Sequence, residues 1–139
     1  MDKLIKMLRH HEGVRHKPYY DTATPPKLTI GVGRNLDDHG LSDDEIDYLL
    51  KNDINRCMSE AMTYDWFKDL NDARRAVVLS LLFNLGKPRY DKFVKHHEAM
   101  SNGHMLLASK ELLDSRWAKQ VGRRANEMAI QLETGEWQT

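Results

Sequence analysis

The stretch from His10 to Gly33, HHEGVRHKPYYDTATPPKLTIGVG, decides how the chain reads. It carries one carboxylate, Glu12, off the end of an apolar-striped helix, sets a second, Asp21, nine residues on, and closes with a threonine and two glycines in a strand-like run. Upstream, residues 2–12 place Leu4, Ile5 and Leu8 on one side at helical spacing, and at about 100° per residue Glu12 shares that side. Gly13 is the natural stop. Downstream, KPYYD and KLTIGVG flank TATPP, and Leu28, Ile30 and Val32 alternate with Thr29, Gly31 and Gly33, the period of a half-buried strand. This predicts a hairpin over 14–33 with the Leu28 face inward. The Thr29 face, which bears nothing bulky beyond the threonine, stays open to a ligand approaching the backbone.

Outward from this stretch the chain turns helical. LSDDEIDYLLKNDINRCMSEAM opens with a capping box, Ser42 with Glu45 three residues on, and Asp43 and Asp44 suit a helix N-terminus. Ile46, Leu49, Leu50, Ile54, Cys57, Met58 and Ala61 then form a helical stripe, which predicts a helix over 42–62. The acidic run is read as a cap and a solvated face, because the alternating ligands and glycine of a calcium loop are not there. Residues 70–86, LNDARRAVVLSLLFNLG, are apolar on nearly all sides after Ala76, so that helix is expected to be buried. Phe93–Met100, His104–Leu113 and Gly122–Leu132 read as shorter helices separated by SNG and VG.

Composition narrows the function classes. With 139 residues the chain has the length of one domain with a genuine core. Charges balance at 21 against 21 and mean hydropathy is −0.68, the profile of an ordinary folded domain. Residues 1–35 carry seven Lys/Arg against three Asp/Glu, and residues 36–60 carry two against eight. The basic start suits an anionic polymer, but the overall neutrality argues against a dedicated nucleic-acid binder. A single cysteine, Cys57, excludes an internal disulfide and reads as a buried thiol. The longest apolar cluster, AVVLSLLF, falls far below the ~18 residues of a membrane span, so neither a membrane anchor nor an export segment is expected.

Two carboxyl groups facing one another are what hydrolysis of a glycosidic bond requires: one donates a proton to the leaving oxygen, the other guides water or attacks the sugar carbon. Glu12 suits the donor, since a carboxyl group resting on apolar neighbours holds its proton more readily than one in water. Asp21, among Tyr19, Tyr20 and Thr22, is the more polar of the two and suits the ionised role. Fully extended, nine residues span ~30 Å, so the hairpin must turn back toward the helix end for the two to meet.

These residues resemble a family. LRHHEGVRHKPYYDT followed by LTIGVG is similar to the signature of the phage-type lysozymes, the endolysins of glycoside hydrolase family 24, and the resemblance continues through RRAVVLSLLFNLG, LLDSRWAKQVGRRANE and TGEW. It implies an α+β, mainly helical, two-lobed lysozyme-like fold with a small N-terminal β-hairpin sheet. The N-terminal lobe would cover residues 13–60, the helix over 42–62 would connect the lobes, and the C-terminal helical lobe would cover 63–139 with helix 2–12 packed near it.

The resemblance further implies that Glu12 is the general acid, Asp21 the residue that positions and activates water, and Thr29 the hydroxyl that helps hold that water. Arg124 would pair with the catalytic glutamate, and Arg116 and Gln120 would line the cleft. The implied reaction is inverting hydrolysis of the β-1,4 link between N-acetylmuramic acid and N-acetylglucosamine in bacterial peptidoglycan. It needs no metal or cofactor and would be performed by a monomer without nucleic-acid or stable membrane association. Such an enzyme would wait in the host cytoplasm until a membrane pore releases it toward the wall.

The chain departs from the family in two places. Seven residues, TATPPKL, separate Asp21 from Thr29 where roughly five are usual, so Thr29 is aligned through TIGVG and Thr22 and Thr24 stand as alternatives. Arg34 occupies the place of a histidine, so no histidine-based salt bridge is expected there.

Other readings compete. A lytic transglycosylase, a chitinase-like enzyme and a catalytically inactive wall-binding domain would share the fold. The triplet HHE, at His10–Glu12 and again at His96–Glu98, invites a metal module, but neighbouring helical residues diverge and neither triplet has the i, i+4 histidine pair of a zinc helix. Trp66, Trp117 and Trp137 are read as core or hinge packing.

Overall fold

The computed structural model describes all residues from Met1 to Thr139. The chain is mainly helical with one small antiparallel sheet, and it divides into two compact units, Met1–Leu49 and Leu50–Thr139. No helix is long and apolar enough to cross a membrane.

The first unit begins with α1, Asp2–Glu12, which stops where Gly13 takes φ 75° and donates its N–H to the Arg9 carbonyl. β1, Arg15–Tyr20, and β2, Leu28–Gly31, form the expected hairpin, and β3, Arg34–Asn35, adds a third strand in the order β1-β2-β3. Pro18 is tolerated because β1 is an edge strand with an irregular register. A short helix α2, Leu36–His39, follows, capped by Asn35, whose Oδ1 accepts the Asp38 N–H at 3.0 Å. Neither β3 nor α2 follows from residue periodicity, because two and four residues are shorter than a readable repeat.

The facing of β2 corrects the sequence reading. Thr29, expected on the open face, is 3% exposed, whereas Leu28 and Ile30 are half-buried and Val32 is exposed. Thr29 lies on the central strand, paired with Tyr19 on β1 and Asn35 on β3. Its hydroxyl tolerates burial by donating to the Lys27 carbonyl at 2.9 Å.

Helix α3, Asp43–Ala61, matches the expected span, and its capping box is present: Ser42 N–H donates to Glu45 Oε1 at 2.8 Å and Glu45 N–H to Ser42 Oγ at 3.3 Å. The division between the units falls within this helix. Of its apolar stripe only Cys57 and Ala61 are buried.

The second unit is built round α4, Asp72–Leu85, whose Val77, Val78, Leu81 and Leu82 are at most 2% exposed, as its apolar run predicts. Phe83, on the same helix, stays exposed. A 3₁₀ turn, Phe67–Asp69, leads into α4, and α5, Lys87–Tyr90, α6, Val94–Ser101, α7, Met105–Leu113, α8, Arg116–Val121, and α9, Arg123–Thr134, follow it. Arg74 closes the far end of α9, giving Nε to the Leu132 carbonyl and Nη2 to the Glu133 carbonyl, both at 2.7 Å. These are two of the carbonyls a helix C-terminus leaves without partners. Trp117 is buried and Trp66 is stacked on Tyr64 against the core, as packing residues should be, but Trp137 is largely exposed.

Candidate active site

Glu12 and Asp21 both belong to the first unit, and the sheet explains how the chain brings their surroundings together. Arg15 pairs with Gly31 and Tyr19 with Thr29, so four steps along β1 oppose two along β2. The surplus is absorbed in a bulge. The ends of β1 are therefore as far apart as Leu28 and Gly31, three strand steps or about 10 Å, and not the ~17 Å of a straight five-step strand. The Arg15 guanidinium stacking 4.7 Å from the centre of the Tyr19 ring fits this shortened path.

At one end of β1 the carboxyl group of Glu12 folds back onto the turn between β2 and β3. A methyl group built on Gly33 would lie 3.1 Å from Glu12 Oε2 and 3.2 Å from its Cδ. Gly33 also has φ +68°, so two independent requirements call for glycine here. Glu12 itself is exposed, α1 has no buried residue, and Leu4, Ile5 and Leu8 remain 48%, 47% and 42% exposed. The apolar support expected from the helix face is thus thin, and exclusion of water from this carboxyl group falls to whatever binds beside it.

At the other end Asp21 is held by the loop it organises. Its N–H donates to the Lys27 carbonyl at 2.9 Å, and its Oδ1 accepts the N–H groups of Ala23 at 3.0 Å and Lys27 at 2.8 Å. Aspartate favours such positions because its short side chain replaces a turn's backbone acceptor. Oδ2 has no hydrogen-bond partner within the protein, which leaves one carboxylate oxygen for a water or a sugar hydroxyl. The seven-residue loop is accommodated within this arrangement. Thr29 shares the Lys27 carbonyl with Asp21, whereas Thr22 and Thr24 are exposed and make no side-chain hydrogen bond.

Arg34, where a histidine pair was not expected, makes a two-pronged ion pair with Glu45, Nη1 to Oε1 at 2.8 Å and Nη2 to Oε2 at 2.6 Å. A third bond runs from Nη1 to the Gly40 carbonyl at 3.0 Å. The hydrogen bond from Arg34, reinforced by the Ser42 amide, holds the Glu45 carboxyl down to about 2. Beside this pair and Gly33 lies a cavity of about 480 Å³, lined also by Ile30, Asn35, His39 and Leu41. Its size suits a small ligand or one ring of a polymer. Sequence reasoning missed the Gly33 and Arg34 contacts. The available signal was Glu45, whose second oxygen remains free after capping.

The remaining predicted residues lie in the second unit. Arg116 and Gln120 sit one helical turn apart on α8, which starts where Ser115 Oγ accepts the Ala118 N–H at 3.1 Å. Arg124 is in the first turn of α9, and all three are exposed. Arg124 borders a cavity of about 530 Å³ with Phe83, Met128 and Trp137. Although this cavity is the larger, its single carboxylate side chain, Glu127, is paired with Arg123 at 3.3 Å, so it lacks an acid–base pair of side chains.

Neither HHE triplet gathers ligands, and no group of three His, Cys, Asp or Glu side chains converges anywhere in the chain. His96 is a core residue: Nδ1–H donates to the Ala108 carbonyl at 2.9 Å, and Nε2 accepts the Tyr90 hydroxyl at 2.8 Å.

Comparison with curated proteins yields no match. Among protein families, the one described as phage lysozyme matches residues 9–131, a span that begins in the last turn of α1 and ends within α9. It takes in both acids, the sheet and nearly all of the helical unit. The chain therefore belongs to the phage lysozyme family, a family of peptidoglycan hydrolases.

Proposed function

We propose that this lysozyme is an inverting muramidase of the endolysin type, cleaving the β-1,4 bond between N-acetylmuramic acid and N-acetylglucosamine. Glu12 protonates the leaving oxygen. Asp21 orients the attacking water through Oδ2, and Thr29 fixes the loop that carries Asp21 and offers its remaining lone pairs to that water. Arg116, Gln120 and Arg124 bind the saccharide. The protein works as a monomer and without a cofactor. It accumulates in the host cytoplasm and reaches the wall through a membrane pore.

One observation supports this reading: the register shift between Arg15 and Tyr19 shortens the strand that joins Glu12 to Asp21. Inversion requires carboxyl groups about 6.5–9.5 Å apart, with room for a water. The fixed Asp21 with one free oxygen favours hydrolysis over water-free cleavage, which has no use for a second acid. Digestion of purified peptidoglycan tests this directly. Reducing ends with the inverted anomer are expected, and anhydro sugars would establish a transglycosylase. Glu12→Gln should lose about 10²–10⁴ in rate, the usual worth of a positioned general acid. Full activity in that variant would remove Glu12 from the mechanism.

A further inference from the structure

The acidic segment from Asp37 to Glu45, which sequence reading assigns to capping and solvation, reaches into both ends of the candidate site. The peptide group joining Lys27 to Leu28 is the first point of contact. On one side its carbonyl accepts from the Asp21 N–H at 2.9 Å and the Thr29 hydroxyl at 2.9 Å. On the other side its N–H donates to Asp37 Oδ2 at 2.7 Å. The Lys27 ammonium adds a contact to Asp38 Oδ1 at 3.2 Å. A peptide group is planar, so a carboxylate that fixes the N–H also fixes the direction of the carbonyl on which Asp21 and Thr29 depend. A bond to a charged acceptor is about twice as strong as a neutral one, which gives Asp37 the larger say.

The second point is the turn against which Glu12 rests. Arg34 follows Gly33 directly, and its guanidinium is locked to Glu45 and the Gly40 carbonyl by three bonds. Glu45 is in turn fixed by the Ser42 amide at the start of α3. Packing does not supply this order, because Thr29 is the single buried residue among positions 1–49.

We infer that α2 and the first turn of α3 form a positioning bracket: Asp37 sets the Asp21 end of the site and Glu45, through Arg34, sets the Gly33 turn beneath Glu12. The inference rests on the assignment of Glu12 and Asp21 proposed above. Asp37, Glu45 and Arg34 are positioning residues that act through Lys27–Leu28 and Gly33, away from the reacting atoms.

The test separates kcat from KM on soluble glycan fragments, alongside thermal unfolding of each variant. Arg34→Met and Asp37→Ala should each lower kcat about tenfold or more with KM nearly unchanged, since a misplacement near 1 Å can cost as much as ~10². Arg34→Lys and Asp37→Asn, which keep a donor or an acceptor, should recover most of the loss. Arg34→Met combined with Glu45→Gln should cost no more than Arg34→Met alone, because both remove one tie. A purely structural role predicts lower Tm with kcat per folded molecule intact in all five variants, and that outcome overturns the bracket. If Arg34→Met does not fold, Glu45→Gln and Arg34→Lys carry the same comparison. Glu12→Gln is run in parallel: its inactivity beside unaltered bracket variants sinks only the bracket, whereas its full activity sinks the assignment underneath.

Discussion

The two units are held by different forces. In residues 50–139 the organisation is apolar: Leu81, Leu82, Met100, Leu112 and Leu132 are at most 1% exposed, and the helices pack around them. In residues 1–49 only Thr29 is buried, and the order comes from directed polar bonds, Asp21 to its loop, Asp37 to Leu28, Arg34 to Glu45. Hydrophobic burial is strong but without direction, whereas hydrogen bonds are weak in net stability but fix orientation. The chain thus keeps its stability in one place and its aim in another. Substitutions in the two units should therefore fail in different ways.

After Glu12, the largest effect expected is on rate, at Asp21. Two variants divide its roles. Asp21→Asn keeps an oxygen to accept from Ala23 and Lys27 but removes the charge, so activity should fall by about 10² or more while Tm holds. Asp21→Ala removes both, so activity should fall as far and Tm should drop as well. Rates of wall clearing set beside calorimetric Tm values decide this, and an Asn variant near wild-type rate would reduce Asp21 to a loop organiser. Next in size is Leu81→Ala, in the core of the helical unit. Removing a fully buried leucine costs about 2–5 kcal/mol, read as a lower urea midpoint, with activity per folded molecule unchanged.

Legibility in the sequence follows the same division. α3 and α4 were readable because each repeats its apolar spacing over several turns, and their ends lie within two residues of the expected positions. α8, with six residues, and α2, with four, were not, since a stripe needs more than one turn to declare itself. Within the site the hairpin was visible as alternation, yet alternation alone inverted the facing of Thr29. Alternation sets Leu28 and Ile30 opposite Thr29 but does not say which of the two faces is the covered one. The Gly33 contact with Glu12 depends on the chain reversal at Gly13, and the Arg34–Glu45 pair on a turn eleven residues long. Both are tertiary facts without a local signal.

Acid should separate the units further. Burial pushes the His96 imidazole down from 6.5 to about 4, against the opposing bond to the Ala108 carbonyl. Its pKa is depressed on folding, so the unfolded chain binds more protons between those values. Stability is then fully present above about 6.5 and lost as pH falls toward 4. The loss at stake is on the order of 3 kcal/mol. The Glu45 carboxyl, held down to about 2, is also depressed, but its contribution is lost only as pH falls from 4.5 toward 2. Acidification from neutrality should therefore loosen the helical unit before the bracket of the first. Urea midpoints of wild type between pH 7.5 and 4.5 should fall more steeply than those of His96→Gln, and parallel slopes would exclude His96 as the cause.

The smallest effect sharpens the comparison most, because it asks whether an ion pair has the same value in both units. Arg123 and Glu127 meet at 3.3 Å on α9 with Arg123 93% exposed, a single bond between neighbours one turn apart. Such pairs contribute about 0.3–0.5 kcal/mol, since water screens them and both side chains lose freedom. Arg34 and Glu45 share two bonds, add a third to Gly40, and join segments eleven residues apart. Glu127→Gln should accordingly shift the urea midpoint barely beyond error and leave kcat alone, although the cavity beside it is the larger one. A fall in kcat in Glu127→Gln comparable to that in Glu45→Gln would mean that charge on the helical unit also directs the chemistry, and the division between the two units would no longer hold.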